Sequence, residues 1–245
     1  MYYINIYGQL MNSCLIISRF NEDISWLRKY QNFDIVIYNK GKEIKNSPFK
    51  NIYRLPNLGR ESHTWLHHIV NNYDCLHEVN IFLQGKIDDL GCMAFQDPND
   101  YILEIRKFGF SVSRYGLLGP FHWSDNIGIE KDKRYKKAWE DNKISRSEVG
   151  FRSFAKNLFP EIPILVSTSY GGCFAVTREV IKSNDLALYK YLLDILGKHQ
   201  NPIEGHYMER LWCYLFTKNK PIYKSFLDVL ITKFEKIYNS NNIKN

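Results

Sequence analysis

The sequence predicts an α/β fold: a single domain in which helices flank a mostly parallel central sheet. Short apolar runs at 14–18, 35–38 and 79–83 are typical of strands buried on both faces, and helical segments separate them. Polar residues follow each run, at 19–23, 39–41 and 84–89. Because parallel sheets bind ligands beyond the carboxyl ends of their strands, we expect these three polar segments to meet in one crevice.

Apolar spacing and turn residues predict the other elements of the first third. Positions 24, 27 and 30 predict a short helix between the first two strands, and a short strand is predicted at 52–53. A further helix begins at the turn that contains Pro56 and Gly59. It is expected to bury Trp65, Leu66, Ile69 and Tyr73.

The second half is less regular. Asp97 and Pro98 form an N-cap followed by proline at the first helical position, which predicts a helix to about Phe108. Loops around one or two strands are expected at 109–141. Further helices are predicted at 147–158, 186–196, 206–218 and 225–238, and strands at 164–167 and 173–176.

The domain organisation follows from length and composition. We expect an N-terminal extension at 1–12, irregular or an extra strand, one α/β domain at 13–220, and a C-terminal helix with a disordered tail at 221–245. No run of about 20 apolar residues could span a bilayer and the N-terminus lacks signal-peptide features, so a soluble, cytoplasmic protein is expected. Five cysteines without a CxxC pair indicate buried thiols rather than a zinc cluster or a disulfide framework.

The segment 55–68 combines turn, charge and imidazole chemistry at the start of a helix. Arg60 and the helix N-terminus form a natural phosphate site, although a salt bridge between Arg60 and Glu61 accounts for the same charges. His63 and His67 lie one helical turn apart, but neither an HExxH glutamate nor an obvious third ligand accompanies them. We therefore expect hydrogen-bonded imidazoles at the flank of the helix rather than a metal site.

Two other strand ends carry candidate ligands. The polar residues at 21–23 either cap the short helix or hydrogen-bond a nucleoside. Asp88 and Asp89 could join Mg²⁺ or Mn²⁺ to a diphosphate, or they form a solvated turn in which Lys86 contacts an anion without metal.

The late part of the chain supplies candidate acceptor and catalytic groups. The turn from Tyr170 to Gly172 would let a sugar ring approach the backbone, or it is only a bend between strands. Glu209 lies at the border between core and solvent, where partial burial can raise a carboxyl pKa and suit it to general base catalysis. Glu204, expected just ahead of this helix, is a cap-side acid or the alternative base.

Several of these segments together resemble the domain-of-unknown-function family 3431. They are 17–23 with Trp26, 37–41, 55–64 with His67, 81–85, 171–176 and 204–212. The resemblance covers most of residues 13–218 in the same order, and several motifs are long and specific. That family looks like the glycosyltransferases of the A-type fold, in which a Rossmann-like nucleotide-sugar half, here 13–95, precedes an acceptor half, here 96–220.

The resemblance implies a nucleotide-sugar donor, a glycan or other hydroxyl acceptor, and a set of site residues. The implied nucleotide-sugar-binding residues are Arg19, Asn21, Glu22, Asn39, Gly59, Arg60, Gln84 and Lys86. The implied acceptor-binding residues are Tyr170, Gly171, Gly172, His206 and Arg210. In an inverting enzyme of this type, Glu209 or Glu204 would deprotonate the acceptor hydroxyl as it attacks the anomeric carbon.

One departure from the A-type pattern concerns the metal. A-type enzymes commonly carry an Asp-x-Asp motif after the strand that 81–83 occupies here, whereas this chain has Gln84 followed by Gly85, Lys86, Ile87, Asp88 and Asp89. Asp89, with Asp88, is the candidate ligand for Mn²⁺ or Mg²⁺. Alternatively, Lys86, Arg60 and another cation neutralise the leaving diphosphate without a metal.

Two other functions fit parts of the sequence. A hydrolase using His63 or His206 with Glu209 lacks a convincing nucleophile. The net charge of +7 favours an anionic partner, so a nucleic-acid-binding or other polyanion-binding module without catalysis is the main alternative. Nucleic acid ranks lower because the basic residues form no single stripe and the aromatic residues follow core spacing.

Overall fold

The computed structural model of the chain is a mixed α/β structure built on a six-stranded sheet. It describes residues 12–87, 97–105, 109–112, 115–118, 127–129, 131–133, 135–162, 166–169 and 171–218. The strands are β1 (Ser13–Arg19), β2 (Asp34–Asn39), β3 (Asn51–Arg54), β4 (Val79–Gln84), β5 (Phe110–Val112), β6 (Tyr115–Leu118), β7 (Val166–Ser169) and β8 (Phe174–Thr177).

Helices separate and follow these strands. The α-helices are α1 (Arg60–Asn72), α2 (Pro98–Ile105), α3 (Lys136–Glu140), α4 (Phe151–Leu158), α5 (Arg178–Lys182), α6 (Leu186–Leu196) and α7 (Ile203–Thr217). The short helix predicted between β1 and β2 is a single 3-10 segment, Ser25–Lys29.

The sheet has the strand order β3-β2-β1-β4-β8-β5. The first four strands in this order pair in parallel, which confirms the predicted mostly parallel architecture. β8 runs antiparallel to both β4 and β5, so the sheet is mixed rather than purely parallel. A turn at Gly171 and Gly172 precedes β8, and it brings the chain back into the sheet at the edge where β4 ends.

The apolar runs do not alternate with polar residues because both faces of the sheet are covered. Successive residues of a strand point to opposite faces, so Cys14 and Ile16 enter the core beneath α1, α6 and α7. Leu15 and Ile17 enter a second core, which the 3-10 helix and α2 cover. Each of these four residues is fully buried.

Several predicted boundaries needed correction. The helix predicted at 147–158 begins at Phe151, and the helix predicted at 206–218 begins at Ile203, directly after Pro202. Proline pre-organises the backbone for the start of a helix, so α7 gains a turn that apolar spacing alone did not indicate. Glu204 consequently lies within the first turn of α7 instead of ahead of it.

The remaining predictions concern the two ends of the chain, the cysteines and membrane-spanning segments. Residues 1–11, which make up nearly all of the expected extension, and the helix expected at 225–238 lie outside the described residues. Of the cysteines, Cys14, Cys173 and Cys213 are buried free thiols, as expected, whereas Cys75 is exposed. None of the described helices has both the length and the apolar character needed to cross a membrane.

Candidate functional site

A cavity of about 200 Å³ opens beyond the carboxyl ends of β1 and β4. The order in which strands are added to the sheet reverses at this point. After β1 the chain adds β2 and β3 on one side of β1, and it then adds β4 on the other side of β1. Open α/β sheets bind ligands at such switch points. The cavity is lined by Ser18, Arg19, Phe20, Glu22, Lys40, Asn57, Arg60, Glu61 and Gln84.

Arg19 holds together the two loops that follow β1 and β2. Its Nε donates to the carbonyl oxygen of Glu22 at 2.9 Å, and its Nη1 donates to Oδ1 of Asn39 at 2.7 Å. Asn39 is buried, and its Nδ2 donates to the carbonyl oxygen of Lys42 at 2.9 Å. Asn39 does not line the cavity, and these bonds give it a structural role in shaping the cavity wall.

Glu22 fixes the backbone at the end of β1. Its Oε2 accepts hydrogen bonds from the amides of Phe20 at 2.6 Å and Asn21 at 3.1 Å. A Cβ on Gly85 would stand 2.9 Å from the same oxygen, so the carboxylate lies where β1 and β4 end side by side. Asn21 is exposed, and its Oδ1 accepts from the amide of Lys42 at 2.9 Å.

Lys40 places a buried ammonium group in the cavity wall, with 9% of the residue exposed. Its Nζ donates to the carbonyl oxygen of Leu58 at 2.6 Å and to that of Arg60. Burial lowers the pKa of Lys40 to about 8, and the nearby Glu61 carboxylate opposes this shift. At neutral pH the group is therefore a desolvated cation that a bound anion would stabilise.

Arg60 brings a second cation to the cavity from the start of α1. Its Nη1 lies 2.8 Å from Nε2 and 3.0 Å from Nδ1 of His206, which is almost fully buried. Burial, together with Arg60 and Arg210, lowers the pKa of His206 to about 2, so the imidazole is neutral and one of its nitrogens accepts from the guanidinium. Burial opposes the charge of Arg60, but Glu61, Glu209 and Tyr135 together outweigh it and raise the pKa of the guanidinium.

The N-terminus of α1 is less available to an anion than the sequence suggests. Gly59 and Arg60 both have positive φ, 58° and 52°, and the amide of Gly59 donates to the carbonyl oxygen of His199 at 2.8 Å. The amide of Arg60 donates to the carbonyl oxygen of Gln200 at 3.4 Å. The positive charge that lines the cavity therefore comes from side chains, those of Arg19, Lys40 and Arg60, rather than from the helix N-terminus.

Glu61 contributes a carboxylate to the cavity in addition to that of Glu22. The Glu61 side chain is only 10% exposed, and its Oε2 lies 3.6 Å from Nε of Arg60. A Cβ on Gly172 would stand 3.0 Å from Oε1, so the turn before β8 closes over this carboxylate. A largely buried carboxylate between a cavity and a guanidinium can accept a proton from a bound hydroxyl.

The turn at Gly171 and Gly172 is held by three side chains from three elements. Nε2 of Gln84 donates to the carbonyl oxygen of Gly171 at 2.9 Å, and Nε1 of Trp65 donates to that of Gly172 at 2.9 Å. The amide of Gly171 donates to Oε1 of Glu209 at 2.7 Å. Both glycines have positive φ, 93° and 66°, a conformation that other residues adopt only with strain.

The structure thus brings part of the predicted site together. Arg19, Glu22, Arg60 and Gln84 line the cavity, and Gly171 and Gly172 lie next to it through Gln84 and Glu61. The predicted residues that do not line the cavity are Asn21, Asn39, Gly59, Lys86, Glu204, Glu209, His206 and Arg210. The remaining predictions, Tyr170, Asp88 and Asp89, lie outside the described residues.

His63 and His68 of the segment 55–68 are packed inside the protein. His63 is buried beside Lys40, and burial, with Lys40 and His67, lowers the pKa of His63 to about 4. Burial lowers the pKa of His68 to about 3, and its Nδ1 lies 3.0 Å from the hydroxyl of Tyr38. Across the part of the chain that the structure describes, no group of three or more His, Cys, Asp and Glu side chains could hold a metal ion.

The sequence interpretation missed five of the residues that line the cavity, and the sequence contained signals for two of them, Lys40 and Glu61. Glu61 precedes Trp65 by four positions, which places both on the buried face of α1. Lys40 directly follows β2 and precedes Gly41, where a Cβ would stand 1.5 Å from the carbonyl oxygen of Phe20.

A family model supports the resemblance found in the sequence. The model described as "Protein of unknown function (DUF3431)" matches residues 15–226. The chain belongs to this family. In this DUF3431 chain the match includes every element of the described sheet except the first two residues of β1, and it includes all residues that line the cavity. No match was found among curated proteins or among solved structures.

Proposed function

We propose that this chain is a glycosyltransferase that binds a nucleotide-sugar donor in the cavity beyond β1 and β4. The observation that carries the proposal is the charge of this cavity: Arg19, Lys40 and Arg60 line a crevice at the switch point of an α/β sheet. Such crevices bind nucleotides, and cations are needed there to stabilise a leaving diphosphate.

Lys40 and Arg60 are suited to hold the diphosphate. A buried ammonium has lost much of its hydration, and carbonyl oxygens replace this only in part, so an anionic ligand binds it strongly. The guanidinium of Arg60 is fixed between His206 and Glu61, which keeps it oriented before the ligand arrives. In this proposal Lys40, instead of Lys86, is the lysine that neutralises the diphosphate.

Glu61 is the general base that we propose for an inverting transfer. The acceptor hydroxyl gives its proton to the Glu61 carboxylate while its oxygen bonds to the anomeric carbon. The bond from that carbon to the diphosphate oxygen breaks, and the nucleoside diphosphate leaves with the electron pair. Glu61 fits this role better than Glu209, because Glu61 lines the cavity and Glu209 bonds the amide of Gly171.

A divalent cation remains a possible partner of the diphosphate within this proposal. In the sequence, the candidate ligands Asp88 and Asp89 follow Gln84, the last residue of β4, by four and five positions. If Mn²⁺ or Mg²⁺ binds there, it would add positive charge to that of Lys40 and Arg60. The binding experiment is therefore run with and without metal.

Titration calorimetry with UDP and GDP, with and without MnCl₂, tests the donor site. We expect one of the two nucleotides to bind, and Lys40→Met to weaken its binding by about tenfold or more because a desolvated cation is lost. The matched control is Lys50→Met, which removes an exposed lysine ahead of β3. Binding of neither nucleotide under any condition would refute the proposal. Salt-sensitive binding of a random oligonucleotide in place of the nucleotides would favour the polyanion-binding alternative.

Glu61→Gln is expected to lower sugar transfer by about 10²- to 10⁴-fold, since the amide cannot accept the proton of the acceptor hydroxyl. Nucleotide affinity should be unchanged or higher, because a negative charge leaves the cavity. The measurement is release of nucleoside diphosphate from a panel of UDP- and GDP-sugars with monosaccharide acceptors.

Glu209→Gln is the matched control for this variant. Its side-chain oxygen can still accept from the amide of Gly171, so the turn should persist and transfer should change only a few-fold. The opposite pattern, full activity in Glu61→Gln and loss in Glu209→Gln, would return the catalytic role to Glu209.

A further inference from the structure

Phe20 is an aromatic residue that lines the cavity and is 46% exposed. A large apolar side chain loses favourable burial when it stands in water, by about 25 cal/mol for each Å² left exposed. Single exposed apolar residues are common on protein surfaces. Within the described ranges, the other exposed large apolar residues are Tyr53, Leu103, Val149 and Tyr191, and Phe20 differs from them because it belongs to the wall of a charged cavity.

The backbone of Phe20 is held from both sides. Its amide donates to Oε2 of Glu22 at 2.6 Å, and its carbonyl oxygen accepts from Nη1 of Arg19 at 3.3 Å. Gly41 lies so close that a Cβ there would stand 1.5 Å from the same carbonyl oxygen. The aromatic ring is therefore carried on a fixed backbone, which lowers the entropy lost when a ligand stacks on it.

Phe20 and Glu61 lie toward opposite sides of the crevice. The backbone carbonyl group of Phe20 contacts Gly41, which follows β2, whereas the side chain of Glu61 contacts Gly172, which precedes β8. β2 and β8 flank the central pair β1 and β4 in the sheet order. A ligand whose diphosphate lies near Lys40 and Arg60 can thus extend one group toward an aromatic ring and another toward a carboxylate.

From this arrangement we infer that Phe20 is a stacking surface for the base of a nucleotide, with the hydroxyl-bearing sugar directed toward Glu61. The inference rests on the proposed function and specifies its substrate: the planar group of the ligand is recognised on the β2 side. A π-face attracts any nucleobase, so Phe20 supplies affinity for a nucleotide over a bare diphosphate but does not select the base.

Titrations of wild type, Phe20→Ala and Phe20→Trp with UDP, GDP and inorganic pyrophosphate test the inference. Wild type should bind the preferred nucleotide at least about tenfold more tightly than pyrophosphate, and Phe20→Ala should remove most of this preference. Phe20→Trp should keep the preference because indole also stacks. The matched control is Tyr191→Ala, which removes an exposed aromatic residue of α6 and should change neither affinity.

The outcomes separate this inference from the proposed function. If Phe20→Ala weakens nucleotide and pyrophosphate binding equally, or neither, Phe20 is not a base platform although the anion site stands. If wild type binds pyrophosphate as tightly as the nucleotides, no base is recognised and the inference fails. If wild type binds none of the three ligands, the donor site itself is refuted.

Discussion

Acidification from pH 7 to pH 5 is expected to destabilise this fold by about 6 kcal/mol. His63, His68 and His206 are buried, and burial lowers their pKa values to about 4, 3 and 2. In the unfolded chain each would titrate near 6.5. Each histidine therefore contributes about 2 kcal/mol to the loss. The total loss of about 6 kcal/mol is comparable to the whole free energy of unfolding of many domains.

The sign follows from proton uptake. Below pH 6.5 the unfolded chain binds protons at these three histidines while the folded chain does not, so lowering the pH favours the unfolded state. The stabilisation is complete above pH 6.5 and declines as the pH falls toward the folded-state pKa values. Urea unfolding at several values between pH 7.5 and pH 5, followed by circular dichroism, measures this slope.

His68→Asn is the matched variant for the acid effect. An asparagine amide can replace Nδ1 of His68 as the partner of the Tyr38 hydroxyl, but it does not titrate. The variant should lose about a third of the pH-dependent change, whatever its stability at pH 7.5. A free energy of unfolding that stays constant from pH 7 to pH 5 would show that these histidines are not held neutral.

Gly41→Ala is expected to destabilise the protein by at least about 3 kcal/mol and to abolish nucleotide binding. The added Cβ would stand 1.5 Å from the carbonyl oxygen and 2.4 Å from the carbonyl carbon of Phe20. These are backbone atoms, fixed because β1 and β2 pair up to Arg19 and Asn39. The loops after the two strands would have to separate, which displaces Lys40 and Phe20 from the cavity.

Gly205→Ala is the control for this prediction. The nearest neighbour of the added Cβ would be Cδ of Arg60 at 3.6 Å, an ordinary van der Waals contact. Alanine is also favoured over glycine within a helix by about 1 kcal/mol. We expect this variant to be as stable as wild type or more so in thermal and urea unfolding. Equal stability of Gly41→Ala and wild type would contradict the close packing of the two loops.

Much of the fold could be predicted from the sequence because its signals are local. The strand β1 is built on a continuous apolar run, β4 is apolar at four of its first five positions, and α6 ends at Gly197 as expected. The strand β8 was predicted at 173–176, but its antiparallel direction could not be, since strand direction depends on where a distant turn returns the chain to the sheet. The five-residue helices α3 and α5 are too short to show a periodic apolar pattern.

The site was only partly predictable for a related reason. Arg19, Glu22, Arg60 and Gln84 stand at strand ends or at a helix start, positions that the sequence pattern identifies. Which polar residue then faces the cavity depends on pairings between distant segments. Arg19 donates a hydrogen bond to Asn39, and Glu209 accepts one from the amide of Gly171. Two side chains that were predicted to contact ligands therefore make hydrogen bonds within the protein.

A crystal of the wild-type protein soaked with UDP or GDP tests the central claim most directly, because it locates the diphosphate. We predict density for the diphosphate within hydrogen-bond distance of Lys40 and Arg60, in the cavity where β1 and β4 end. Nucleotide density elsewhere on the molecule, with this cavity holding only water at a saturating concentration, would contradict the assignment of the cavity as the donor site.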